Sequence, residues 1–469
     1  MTRSPQHSRR NFFALAAGAA AFAQSPRAAE QNIAAPRDVV KTGMIVRSAR
    51  PEDLEMPLSG FADYITPVEH FFVRTHVYVP KVELASWRLK IDGEVGSPLT
   101  LTMEDLRRMP AVELVAVTEC AGNGRVFYDP PVPGLQWSTG SVGNGRWRGV
   151  RLADLLKRGG IKPSAVEVLF DGADVPLGTM QDFRRSITVK KALDPNTLLA
   201  YEMNGETLPV KHGFPLRVIA SGWASDSWVK WVTSITVLDK EFDGFWMKNA
   251  YRRPDFPVEP GSAVPPEKMK PVTSLHVKSV IASPLDHTGA SPGTPVTISG
   301  VAWSGDSGPV TSVQVSTDNG RSWRLANLHS DQFSEFGWRQ WEYPWTPERE
   351  ALYTIMARAS DAGGNTQPLN QEWNPSGYGW NVAPRIEFNV TASRLAPPPA
   401  TPNRIFVSNS IEERSCGGCH GMDVIAQQRL TRAQWDREVT KMTNWGAEIK
   451  AEDREKLLDY LTGSFEPRK

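Results

Sequence analysis

Thr118-Glu119-Cys120-Ala121-Gly122-Asn123-Gly124-Arg125 is the stretch from which the fold of this chain is read, and at its centre stands a cysteine without an evident mate. The 469-residue sequence holds three cysteines, and the other two stand together at Cys416 and Cys419. A solitary thiol in an oxidising compartment is a target for oxidation, so it is either buried or held as a thiolate by a soft metal. Spacing alone leaves both alternatives open at Cys120.

The compartment is read from the N-terminus. Ser8-Arg9-Arg10-Asn11-Phe12-Phe13 sets a twin arginine before Ala14 to Ala23, a short run of mostly alanine and leucine. A membrane anchor needs roughly 20 apolar residues, so the run is too short for one, and residues 1–29 read as a twin-arginine signal peptide for periplasmic export. That route carries proteins already folded, commonly around a cofactor. No later stretch is long and apolar enough to span a membrane, so a soluble mature protein is expected. The 53 basic and 52 acidic residues leave a net charge of +1 with no long runs, which argues against nucleic-acid or anionic-membrane binding.

Near the other end, Cys416-Gly417-Gly418-Cys419-His420 matches the C-x-x-C-H pattern of c-type haem attachment. Two thiols at that spacing can add to the two vinyl groups of one haem, and the next residue, His420, is delivered to the iron. A zinc site would need a second ligand pair, and a thioredoxin-like site a βαβ setting. Met422 is too close in the chain to His420 to reach the opposite face of the iron. Trp435, Val439, Met442 and Trp445 recur at helical spacing, and Met442 is the expected second axial ligand. A helix over Arg454 to Leu461 then closes an all-α domain at 404–469.

Between these ends the texture changes twice. Residues 30–270 mix strands and helices, with Trp87 to Gly93 an alternating strand and Leu152 to Arg158 a short helix stopped at Gly159-Gly160, so this segment is α+β. Prolines from Pro254 to Pro271 mark a boundary. Residues 271–392 carry short alternating runs such as Val296 to Val301 and Val313 to Ser316, with Asp318-Asn319-Gly320 as a hairpin turn. They predict an immunoglobulin-like β-sandwich, in architecture only since it lacks the cysteine pair. Leu395 to Pro402 falls in a Pro-rich, extended linker at 393–403.

Phe71-Phe72-Val73-Arg74-Thr75-His76, the Cys120 stretch, Ala200-Tyr201-Glu202-Met203-Asn204-Gly205, His212-Gly213-Phe214-Pro215-Leu216-Arg217 and Val229-Lys230-Trp231 occur in an order that resembles the sulfite oxidase family of molybdenum enzymes. The likeness runs over catalytic and sandwich segments together. It implies that Cys120 is the thiolate on molybdenum, beside a pterin dithiolene and oxo groups. Phe71, Phe72, Val73, Arg74, Thr75, Asp174, His212, Arg217, Ser227, Trp228, Val229 and Lys230 are implied to hold the molybdopterin. Arg74 and Arg125 match substrate-binding positions, as fits a small oxyanion that needs fixed, fork-shaped cations. Tyr251 matches the metal-site tyrosine, and His76 would lie behind Arg74. The sandwich resembles the family's dimerisation domain, which implies a homodimer.

Two departures stand out: Gly124 occupies a position where vertebrate members carry a further arginine, and no cytochrome b-type domain precedes the catalytic motifs. The C-terminal segment instead looks like the small cytochrome subunit of bacterial sulfite dehydrogenases, fused to the catalytic chain. The expectation is therefore oxidation of sulfite or a related small sulfur oxyanion, with electrons passed to haem c and on to an external acceptor such as a soluble cytochrome c. The alternatives are sulfane dehydrogenase-type oxidation of other sulfur compounds and a non-catalytic electron-transfer protein.

Overall fold

Strand Val112–Glu119 carries the chain into the interior, its last four residues buried, and lies antiparallel to Val142–Arg151 with Glu119 opposite Val142. The two belong to a five-stranded sheet in which Val142–Arg151 also pairs with Thr197–Met203, which in turn receives Glu206–Thr207 and Arg217–Ala220. A second five-stranded sheet runs in the order Leu99–Leu101, Leu89–Gly93, Ser234–Leu238, Glu167–Asp171, Arg185–Thr188. Here Ser234–Leu238 is parallel to Leu89–Gly93, and parallel neighbours require a long crossover. The whole first sheet is inserted in that crossover, so the turns at its ends are held against the second. These coordinates come from a computed structural model, which describes residues 35–37, 39–178, 180–392, 415–417 and 419–467. The expected signal peptide, the linker at 393–403 and residues 404–414 lie outside the described residues.

Local expectations are adjusted at their edges. The strand expected from Trp87 begins at Leu89, because the Trp87 amide is committed to a turn through the Glu83 carbonyl at 3.0 Å. The short helix spans Leu152–Gly159 and takes in the first glycine; Gly160, at φ 69°, is the residue that ends it.

The β-rich segment is a sandwich. One sheet orders Lys278–Ser283, Val296–Trp303, Arg339–Trp345 and Asn327–Leu328; the other orders Thr288–Ala290, Arg385–Val390, Ala351–Asp361, Val310–Ser316 and Arg324–Leu325. Ile298, Val313, Val315, Trp341, Ile355 and Phe388 fill the space between them. At the C-terminus, helices Arg432–Asn444 and Ala451–Ser464 pack Trp435 and Val439 against Leu457, Leu458 and Leu461, and Thr431 with Gln434 forms a capping box at the start of the first. Met442 and Trp445, on the same stripe, are only half-buried by that core. Among the described residues no helix is long and apolar enough to cross a membrane.

The sandwich is tied to the catalytic sheets by buried polar groups. Lys278 Nζ donates to Glu119 at 2.9 Å and Trp303 Nε1 donates to its other oxygen at 2.7 Å. Removing one partner from a buried ion pair leaves an uncompensated charge and costs about 3–5 kcal/mol. Lys278→Ala is therefore expected to lower the thermal unfolding midpoint by several degrees in scanning calorimetry, while Lys81→Ala, at an exposed ion pair, should leave it in place.

Candidate active site

Cys120 follows the buried end of Val112–Glu119. Its N–H donates to the Ser141 carbonyl and its carbonyl accepts from Asn123 N–H, both at 2.9 Å, so the backbone turns sharply and the thiol stays 7% exposed. Burial pushes that thiol up to about 11, against the pull of the Gly122 amide, Arg74 and Arg125. In this state it is a weak nucleophile; a bound metal would deprotonate it outright.

Around it three segments converge. Arg74 reaches Asp53 through Nη1 at 3.2 Å, and Asp53 also accepts the Thr75 amide at 2.9 Å. Burial disfavours the Arg74 charge, but Asp53, Tyr251 and Cys120 hold its guanidinium above its ordinary value, so it stays a fixed cation. His76 Nε2 lies 2.7 Å from the Tyr251 hydroxyl, and its ring stacks on Phe183 at 4.0 Å. Burial, then Arg74, hold that imidazole well below its usual range, so it is neutral. Burial likewise pushes the Tyr251 phenol upward and keeps it protonated. Tyr251 adopts φ 52°, a left-handed conformation uncommon for a bulky residue and frequent at functional sites. Arg125 approaches from the opposite side, spending Nη1 on the Leu135 carbonyl at 3.1 Å and Nη2 on that of Ser376 at 3.3 Å, with Tyr378 beneath it. Arg74, Cys120, Arg125 and Tyr251 together line a cavity of about 480 Å³.

A second recess opens on the other side of Cys120. Phe71, Phe72, Val73, Arg74, Thr75 and Asp174 line it with His212, Arg217, Trp228 and Lys230. Ser227 and Val229, expected with them, do not line it but flank Trp228, which does: the Ser227 hydroxyl is buried without a partner, and the Val229 carbonyl accepts from Val218. The recess is crowded with cations. Lys230 is pushed down to about 7 by burial and by Arg217, Lys41 to about 7 by burial and by Lys211, and Arg217 to about 9 by burial. Arg217 Nε and the Thr75 hydroxyl are also buried without partners. Surplus buried cations beside unsatisfied polar atoms fit a large, polar, phosphate-bearing cofactor.

Lys41, Asp53 and Lys211 were not singled out by sequence reasoning. Lys41 reaches His212 Nε2 at 2.8 Å from a stretch with no motif, and Asp53 meets Arg74 across 21 residues. Lys211 directly precedes His212, the one hint available. The structure also explains Gly124. Its φ is 91°, and a Cβ there would come 2.5 Å from the Trp380 ring, so no side chain fits. Cys416, His420 and Met442 also line the 480 Å³ cavity, whereas Met422 packs among the apolar residues of the C-terminal helices. Cys419 and His420 line a further 170 Å³ space beside Arg74 and Trp246.

The sequence matches the family described as oxidoreductase molybdopterin binding domain over residues 76–246, and that described as Mo-co oxidoreductase dimerisation domain over residues 269–391. Sulfite oxidase of Gallus gallus is 35% identical over 350 residues, covering 71% of this chain and 75% of that protein. The chain belongs to the sulfite oxidase family. Mitochondrial sulfite oxidase of Drosophila melanogaster is 34% identical over 368 residues, 73% of this chain but 62% of that protein's length. Among solved structures, the sulfane dehydrogenase SoxCD from Paracoccus pantotrophus resembles it with a TM-score of 0.63 and 27% identity, covering 80% of this chain and 96% of that one. As a sulfite oxidase family member the chain carries His76, Cys120, Arg125, Asp174, His212, Arg217 and Lys230 within the first matched domain, with Phe71 to Thr75 and Tyr251 just outside its bounds. Residues 415–467 lie beyond both matches.

The depressed lysines make the recess sensitive to pH. Lys41 and Lys230, near 7 in the folded protein, are largely neutral at pH 8, and a bound phosphate would favour their charged forms. Loading the cofactor-free protein with molybdopterin is therefore expected to take up protons at pH 8 and few at pH 6, with affinity falling as pH rises through 7. Calorimetry in buffers of different ionisation enthalpy reads the proton count.

Proposed function

We propose that the protein is a sulfite dehydrogenase, which oxidises sulfite to sulfate at a molybdenum-molybdopterin centre anchored by Cys120 and passes the electrons to a c-type haem in its C-terminal segment. The observation that carries this is the cavity in which the Cys120 thiol, two arginines and a neutral phenol face one space. Sulfite and water give sulfate, two protons and two electrons. The molybdenum cofactor, when bound, supplies the two-electron acceptor and the oxygen-transfer chemistry. The chain's own part is binding and orientation. Arg74, kept charged by Asp53, holds the anion, and Arg125 adds positive charge at the opposite wall. Tyr251 donates a hydrogen bond to the product anion, its hydroxyl set by His76 Nε2. Lys230, Arg217, His212 and Lys41 hold the cofactor's polar end.

Support for haem comes from the C-terminal helices. Cys416, His420 and Met442 share the wall of the 480 Å³ cavity, whose size suits a cofactor site. The indole N–H of Trp435 in that wall is buried without a partner, so a group in the cavity would satisfy it. His420 and Met442 are the axial ligands this reading assigns, and a soluble cytochrome c the class of external acceptor. Export to the periplasm and a homodimer built on the sandwich complete the proposal. A second reading, sulfane dehydrogenase-type chemistry on other reduced sulfur compounds, is favoured by the likeness to SoxCD. The two part on substrate: haem reduction spectra recorded with sulfite and with thiosulfate on the cofactor-loaded protein separate them.

Cys120→Ser is expected to leave a folded protein with covalent haem that sulfite cannot reduce, because a hydroxyl is a harder and poorer ligand for the metal. Retained turnover would remove the molybdenum assignment. Arg74→Gln takes away charge-assisted hydrogen bonds worth roughly 1.5–3 kcal/mol, so sulfite should bind about ten- to a hundredfold more weakly. Stopped-flow traces should show haem reduction that needs far more sulfite, while dithionite reduces the haem at the normal rate.

A further inference from the structure

The C-terminal segment meets the 131–136 loop and strand Ile45–Ala49 mainly through amide side chains, joined by two charged ones that bond backbone groups: Asp423 accepts the Ala49 amide at 2.7 Å, and Arg50 donates to the Gly417 carbonyl. Gln427 Nε2 donates to the Arg47 carbonyl, and Gln427 Oε1 accepts the Gln136 amide at 3.1 Å. Gln428 accepts the Gly134 amide at 3.3 Å and returns a bond to the Gly134 carbonyl at 2.9 Å. Gln434 Nε2 donates to the Pro131 carbonyl at 3.1 Å. None of these contacts is an ion pair. Beside them Trp445 packs edge-on to Phe245 at 4.9 Å and lies 6.3 Å from Trp246. Trp246 in turn stands 4.7 Å from His76 and 6.1 Å from Tyr251, ring centre to ring centre. An unbroken run of aromatic rings therefore leads from the anion pocket to the wall that holds His420 and Met442.

We propose that the helical segment works from one fixed seat, clasped by Gln427 and Gln428, and that Trp445 against Phe245 and Trp246 is the contact across which electrons pass. This rests on the haem reading above. Tunnelling weakens steeply across gaps, so a packed aromatic contact transmits better than a water-filled one. Each crossing oxidises the reduced metal centre by one electron and converts ferric to ferrous haem. Two crossings follow each sulfite, with the ferrous haem giving its electron to an external one-electron acceptor such as a soluble cytochrome c between them; the protons go to solvent, and no bond in either tryptophan changes. Since the glutamine clasp is made of neutral amides, and Asp423 and Arg50 at the same seam bond backbone groups with no ion pair crossing it among the described residues, salt should loosen it little.

The test uses the cofactor-loaded full chain. Amide hydrogen exchange at Gly134 and Gln136 reports the seat directly, with no need for turnover. Both amides are expected to be protected at low and high salt, and Gln427→Ala/Gln428→Ala to speed their exchange roughly five- to thirtyfold. Trp445→Leu should slow sulfite-driven haem reduction without lowering covalent haem content, and Trp445→Phe should recover most of the rate. Exchange at Gly134 and Gln136 as fast as in an open peptide overturns the fixed seat. A Trp445→Leu protein that reduces its haem at the wild-type rate overturns the crossing. Wild-type protein without covalent haem would instead overturn the parent reading and the crossing with it, while the exchange data would still decide the seat.

Discussion

The carboxylate of Glu119 is buried one residue before Cys120, where no water can solvate it, and both its oxygens must find donors inside the protein. It finds Lys278 and Trp303 on the sandwich and the side-chain amide of Asn123 in the turn that follows Cys120. Asn123 in turn accepts from Ser141 at 3.0 Å, on the neighbouring strand whose carbonyl already holds the Cys120 amide. The thiol is thus fixed by a network whose strongest members belong to a different domain. A segment matched to a dimerisation family is, in this chain, also part of the scaffold of the site.

The two spaces flanking Cys120 have different electrostatic characters. On the cofactor side, burial depresses Lys41, Lys230 and Arg217 alike, with Lys211 adding to the effect on Lys41 and Arg217 to that on Lys230. On the substrate side, Arg74 is supported by Asp53 and remains charged, and the neighbouring His76 and Tyr251 are neutral. The first side needs an anion to become comfortable; the second presents the Arg74 and Arg125 guanidiniums beside a phenol that offers only hydrogen bonds. In the proposed function, that division separates holding a cofactor permanently from holding a small anion briefly.

What could be read from sequence follows from how local the signal is. Phe71 to His76, Cys120, His212 to Arg217 and Lys230 sit in turns and strand ends where residue identity is fixed over a few consecutive positions, so short strings identified them. The sandwich was legible because its strands bury one face, which stamps alternation on runs such as Val310–Ser316. The mixed sheet was not, since nothing local says that Ser234–Leu238 lies parallel to Leu89–Gly93. Lys41, Asp53 and the meeting of Trp246 with Trp445 were equally hidden, being set by tertiary approach alone. Arg125 lines the cavity, but its hold on the Ser376 carbonyl, 251 residues on, carried no signal in the turn around it.

The close fit of Trp380 against Gly124 has an evolutionary reading. With the indole 2.5 Å from where a Cβ would stand, and the backbone in a left-handed turn, any side chain introduced at 124 collides before it can reach the anion pocket. An arginine at that position is therefore not one mutational step away from this chain. Trp380 must first give way to something smaller, loosening its contacts with Phe127 and Tyr128, and only then can a third cation be accommodated. Any side chain at 124 therefore comes only at the cost of that indole packing.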